Sequence, residues 1–145
     1  MLNKIFNLAI ISLFFSCSST PDKSLKKEII DTINESATAW NNGDLDAFMS
    51  YYKKTNELRF AANSSVNRGW EKARQAYVKS FADKNNMDLL KFSEFEVELI
   101  TNDRALVFGR FTNIKKDKSE KTGLTTLYMI KENGSWKILY DHSSD

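Results

Sequence analysis

One cysteine, one proline and one histidine stand in a chain of 145 residues, and each scarcity excludes something. A lone cysteine, Cys17, rules out an intramolecular disulfide. One histidine and one cysteine do not make a usual zinc ligand set, so no metal is expected. Neither sign of charge is in excess: 21 Lys and Arg against 19 Asp and Glu leave a net +2. That balance lacks the clustered basic surface that nucleic acid requires. With one proline and only five glycines, the composition is too ordered for a disordered tail. Long apolar runs are missing too. The longest, Ile5 to Phe15, is too short to span a bilayer as a stable helix.

That run has another use. One lysine precedes it, and Ser16, Cys17 and a polar stretch follow it, which is the layout of a signal peptide. Leu13-Phe14-Phe15-Ser16-Cys17 resembles a bacterial lipoprotein signal. The resemblance implies cleavage before Cys17, so that residues 1–16 are removed and Cys17 carries the lipid. Residues 17–23 would then be a lipidated tether, and residues 24–145 a domain outside the cytoplasm. The expected location is the bacterial cell envelope, with the membrane reached by the lipid anchor only.

In the rest of the chain, apolar spacing marks the elements. Leu25, Ile29, Ile30, Ile33, Ala37 and Trp40 recur at helical period, and Asn41-Asn42-Gly43 supplies a stop. Asp44 caps a short second helix with Leu45, Phe48, Met49 and Tyr52 on its apolar side. Glu57 to Ala62 alternates as a strand, and residues 63–69 read as a polar loop. Trp70, Ala73, Tyr77 and Phe81 space a third helix. After Met87 the period becomes two, giving a meander of four strands with an Asn133-Gly134 hairpin turn before the last. Segregated helices and strands predict an α+β fold: three helices on one face of a curved antiparallel sheet. Both faces of the later strands carry apolar residues, so a second copy of the chain is expected to cover the far face as a homodimer.

Trp40 to Phe48 (W-N-N-G-D-L-D-A-F), Gly69 before the third helix, and N-G-S-W-K-I through Asp141-His142-Ser143 together resemble the nuclear transport factor 2-like superfamily. The nearest branch is its SnoaL-like group. The resemblance spans nearly all of Leu25 to Ser144 and implies a cone-like barrel with a cavity between helices and sheet. That superfamily hosts isomerases, dehydratases, transport factors and assembly modules, so the fold does not assign a function. Within it, ketosteroid isomerase uses an Asp base with an oxyanion hole of Tyr and protonated Asp. Counting from the shared Gly-Asp-Leu-Asp places its tyrosine at Ser36 and its base at Phe60, and neither residue suits the role. The association domain of calcium/calmodulin-dependent protein kinase II holds arginines in its cavity. Arg110 matches one of them, while the other two positions hold Leu127 and Ser143.

Candidate site residues follow. Asp141, His142 and Ser143 contain the residue types of a hydrolase triad, but neighbours on a strand point to opposite faces. Glu94, Glu96 and Glu98 read as a solvated stripe. Arg110 sits among Leu106 and Phe108 and needs a partner, either Asp141 or an anionic ligand. By the resemblance, Trp40, Tyr52, Phe60, Trp70, Tyr77 and Phe81 line the cone cavity, joined by Phe108, Arg110, Leu127 and Asp141. The expected activity is binding of a small, partly apolar molecule with no cofactor. The alternatives are a lyase or isomerase using Arg110, Asp141 and Tyr52, and a homo-oligomerisation module with a filled cavity.

Overall fold

The computed structural model describes residues 21–62, 64–82 and 87–144. The expected signal peptide, residues 1–16, and Cys17 lie outside them. Helix α1 (Pro21–Asn41) includes Pro21, with proline tolerated in the first turn, so the last three residues of the expected tether are helical. Its end follows the Schellman pattern. The Gly43 amide donates to Trp40 and the Asp44 amide to Ala39, with Gly43 at φ 65°. Asp44 then caps α2 (Leu45–Ser50), its carboxylate accepting from the Ala47 amide at 2.9 Å. The chain continues through β1 (Arg59–Ala62), β2 (Ser65–Arg68) and α3 (Trp70–Phe81). Four long strands follow: β3 (Leu89–Thr101), β4 (Arg104–Ile114), β5 (Glu120–Glu132) and β6 (Ser135–Ser144).

These strands form one six-stranded sheet in the order β2-β1-β6-β5-β4-β3. The α+β class, the three helices and the cone are as the sequence implied. The sheet, however, is curved without closing into a barrel, and it is mixed. β1 runs parallel to β6, pairing Phe60 with Asp141 and Ala62 with Ser143. The segment expected as a polar loop contains β2, which pairs with β1. Its exposed polar side chains hide it from a hydrophobic pattern, because it is an edge strand with little to bury.

The inner face of the sheet packs on the helices. Ile29 and Ile33 of α1 and Met49 of α2 meet Val107, Leu127, Met129 and Ile138, all nearly or wholly buried. Two irregularities set which side chains point inward. Leu139 has no partner between Tyr128↔Tyr140 and Met129↔Ile138, a bulge that changes the phase of β6. Trp136 and Ile138 therefore point inward before it, and Asp141 and Ser143 after it. In β3 a second bulge lies between Ser93 and Glu96, with Glu94 at φ 55°.

The outer face is apolar without cover from the described residues. Leu106, Phe108, Leu124 and Tyr140 are each between 39 and 43% exposed. Tyr128 and Tyr140 stack on it with ring centroids 5.6 Å apart. Among the described residues, no helix is long and apolar enough to cross a membrane.

Candidate functional site

Between the helices and the inner face of the sheet lies a cavity of about 190 Å³. Its walls are mostly aromatic: Trp40 from α1, Phe48 from α2, Phe60 from β1, Tyr77 from α3, Phe92 from β3 and Phe111 from β4. Tyr52, Thr125 and Asp141 are buried at its floor. Ala62, Phe92, Phe111, Asn113 and Ser143 are only partly buried, so the cavity reaches solvent on their side. Wider depressions on the surface, such as one beside Gly43, Arg74 and Phe81, lack this enclosure by aromatic rings.

The wall is fixed by hydrogen bonds as well as by packing. The Trp40 indole donates to the Asp88 carbonyl at 2.9 Å. The neighbouring Asn41 amide both donates to the Leu90 carbonyl and accepts from its N–H, clamping α1 to the edge strand β3. Phe48 makes edge-on contacts to Trp40 and Tyr77, at centroid distances of 5.3 and 4.9 Å. Tyr52 is positioned by β6 itself. The Lys53 amide donates to the Ile138 carbonyl, and the Ile138 amide donates to the Tyr51 carbonyl, both at 2.8 Å. That double bond to the backbone sets the Tyr52 ring beside Asp141, three residues further along the same strand.

Asp141 is the polar centre. The Tyr52 hydroxyl donates to Oδ2 at 2.8 Å, and the Ser143 hydroxyl lies 3.0 Å from Oδ1. The Tyr77 hydroxyl is 3.3 Å from that of Tyr52. Tyr52 has a single proton and spends it on the charged carboxylate, so Tyr77 donates to Tyr52. The result is a relay from Tyr77 through Tyr52 to Asp141. Burial pushes the Asp141 carboxyl above the usual carboxylate range, against the lowering effect of its hydrogen bonds to Tyr52 and Ser143. Burial, and then the nearby Asp141 charge, hold both phenols well above their ordinary value, so both stay neutral. No lysine, arginine or histidine lines the cavity among the described residues.

The raised Asp141 pKa predicts a pH-dependent stability. The folded chain holds this proton more tightly than the unfolded chain does. That advantage is complete below the ordinary carboxylate range and is lost as pH rises through the folded pKa. Asp141→Asn keeps an acceptor for Tyr52 and carries no charge. At pH 7 it should raise Tm, because the buried charge is gone. Below pH 4 the two proteins should melt together. Thermal unfolding at both pH values checks this, and a variant less stable than its parent at pH 7 would refute it.

Five of the ten expected pocket residues meet in the cavity: Trp40, Tyr52, Phe60, Tyr77 and Asp141. The other five do not line it. Phe108 and Arg110 share the outer face, because β4 alternates with Val107, Gly109 and Phe111 inward. Arg110 pairs there with Glu94 at 3.0 Å, both partly exposed, and so does not meet Asp141. Leu127 is core beneath the cavity floor, 2% exposed. Phe81 packs behind Trp40, with centroids 4.9 Å apart. Trp70 donates its indole N–H to the Met49 carbonyl and stacks under Lys54, outside the cavity. His142 is exposed on the outer face opposite Thr126, so no Asp-His-Ser triad forms. Ser36, where the ketosteroid isomerase comparison puts a tyrosine, is buried in α1 and donates to the Ile33 carbonyl at 2.7 Å.

Phe48, Ala62, Leu90, Phe92, Phe111, Asn113, Thr125 and Ser143 complete the lining, and of these only Ser143 is a candidate site residue in the sequence. Phe48 had been assigned to the apolar side of α2, a signal that marks burial without separating core from cavity. The inward parity of β4 and β5 would have found Phe111, Asn113 and Thr125 once Arg110 was placed outside.

This geometry defines a cone-shaped α+β domain of the nuclear transport factor 2-like type. A protein of that type and of unknown function from Shewanella oneidensis MR-1 is 35% identical, with a TM-score of 0.77, over 83% of this chain and 98% of its own. A putative scytalone dehydratase from Novosphingobium aromaticivorans shares the fold at 13% identity and a TM-score of 0.69, covering 85% of each chain. So does a putative calcium/calmodulin-dependent protein kinase II association domain from Xanthomonas campestris. It is 18% identical with a TM-score of 0.67, over 92% of this chain and 96% of that one. No curated protein matches the sequence. The SnoaL-like domain model matches residues 29–144, and the chain belongs to that family.

Proposed function

We propose that this chain is an exported lipoprotein whose single domain binds a small, partly apolar molecule in the aromatic cavity. The observation that carries the reading is Asp141. A carboxyl group held at the floor of an aromatic cavity, at a cost in desolvation, is the convergent polar group that fixes a ligand's orientation. The export and lipid-anchor parts of the proposal rest on residues 1–17 and place the domain at the surface of an envelope membrane.

The apolar outer face supports a homodimer, with Phe108 and Tyr140 of each copy against the other. Native mass spectrometry of residues 18–145 tests both parts at once. The expected result is a dimer carrying a co-purified small molecule, and Phe108→Asp is expected to shift it to monomer. A clean monomer of the unsubstituted chain would overturn the dimer. A cavity that takes up no benzene-sized probe would overturn the binding reading.

A second reading has its own observation. The Asp141–Tyr52 hydrogen bond, beside a carboxyl whose pKa is raised, is a general acid–base arrangement. It suits a lyase or isomerase, the reaction class that the dehydratase-named relative suggests. Arg110 has no part in it, because it lies on the other face of the sheet.

A further inference from the structure

The cavity has a carboxylate without a countercharge, and that imbalance says what kind of molecule belongs there. Among the described residues Asp141 is hydrogen-bonded by neutral hydroxyls, those of Tyr52, Ser143 and Thr125. Among the described residues the one ionic group lining the cavity is therefore negative, and its neighbours supply dipoles but no charge. An anionic ligand would meet it as like charge at close range in a desolvated site. A neutral apolar ligand would leave a buried charge uncompensated. A cation answers both the carboxylate and the walls, because aromatic rings attract cations to their faces.

The walls meet the second requirement. Trp40, Phe48, Phe60, Tyr77, Phe92 and Phe111 surround the space on six separate elements and the Tyr52 ring closes the floor. Aromatic enclosure of this sort, with one acidic group, is the chemistry that recognises substituted ammonium ions. Size sets the limit. An apolar protein cavity of about 150 Å³ holds benzene, so about 190 Å³ admits a molecule of that size or slightly larger. Asn113 at the open side offers a polar partner to a hydroxyl or similar tail.

We propose that the cavity is a site for a small organic ammonium ion, with Asp141 as its counter-ion and the aromatic walls holding its alkyl or aryl groups. The proposal rests on the binding reading given above and narrows its ligand to one charge type. Cation binding favours ionised Asp141, so affinity should rise with pH through the titration of that carboxyl. One other titratable group acts on Asp141: His142 on the outer face, whose charge lowers the Asp141 pKa through space, so the pH comparison is repeated in His142→Gln. Across α1, α2, β1, β3, β4, β5 and β6 the lining is otherwise non-titratable. The Tyr52 and Tyr77 phenols stay neutral.

Isothermal titration of the full chain with choline and with its uncharged isostere 3,3-dimethylbutan-1-ol tests the proposal. At pH 8 choline is expected to bind at least tenfold more tightly, with the preference shrinking at pH 5. In Asp141→Asn the preference should fall to within about twofold, while the neutral alcohol keeps its affinity. Phe60→Leu should weaken choline more than the alcohol. If the alcohol binds as well as choline, or if Asp141→Asn keeps the preference, the cation proposal fails and the cavity remains a ligand site. If neither probe binds, both readings fail. The pH arm uses the unsubstituted chain, so the proposal stays testable should a variant not fold.

Discussion

Phe48→Ala is expected to cost about 3–5 kcal/mol, the range for removing a buried phenylalanine ring. The ring is 3% exposed and touches four others: Trp40, Tyr52, Tyr77 and Phe81, with centroids 4.9 to 5.8 Å away. Losing it removes its own burial and leaves a void that the neighbours close only in part. Trp40 is held by Asp88, and Tyr52 by Asp141, so neither is free to swing into the gap. Small domains have about 5–15 kcal/mol in total, so urea unfolding should show a midpoint lowered by a large fraction, with little change in slope. The void opens into the ligand cavity, so the variant should also accept a bulkier ligand than its parent. A loss below about 1 kcal/mol would mean that the cluster relaxes more freely than its hydrogen bonds suggest.

Gly123→Ala is expected to destabilise the chain by about 1–3 kcal/mol through overpacking. Gly123 sits on the inner face of β5, directly opposite Phe111 of β4. A methyl group there would meet the Phe111 ring at 2.5 Å and collide with the Ser144 carbonyl. The ring can turn away, but the carbonyl belongs to the neighbouring strand and moves only with it. Glycine in a strand often marks such a close approach. Phe111 stands at the open side of the cavity, so its displacement should also slow ligand entry. Phe111→Leu in the same chain removes half of the clash and should recover part of the lost stability. A double-mutant cycle on thermal unfolding would show that coupling as non-additivity. Full additivity would place the whole cost at Ser144.

The Schellman end of α1 and the Asp44 cap of α2 were legible because each depends on residues next to one another. Asn42, Gly43 and Asp44 have few other conformations that satisfy the helix ends. The β5–β6 hairpin was legible for the same reason, since Asn133 and Gly134 both adopt positive φ in its turn. β2 was not legible: its partner, β1, supplies the hydrogen bonds, and nothing in S-V-N-R demands them. Arg110 was misplaced because both faces of β4 are apolar, and alternation separates two faces without saying which one meets the helices.

Asp141 shows the boundary between the two kinds of information. Its parity relative to His142 follows from strand geometry, and this was enough to exclude a triad. Its direction relative to Trp136 and Ile138 does not follow. Unbroken alternation would send Asp141 to the opposite face from those two, and only the bulge at Leu139 brings all three inward. The parallel pairing of β1 with β6 then sets Phe60 beside it, and the bridge at Ile138 delivers Tyr52.

The sequence by itself determined the α+β class and the helix caps. These depend on short-range periods and local turn chemistry, which the order of residues states directly. The family and a cavity between helices and sheet entered through the resemblance of its motifs to known relatives. Only the tertiary structure decided that the cavity's charge is a lone carboxylate fed by two tyrosines, with Arg110 on the far side of the sheet. That outcome depends on a bulge and a strand register, which are chosen by the packing of the whole sheet against its helices and not by any segment alone.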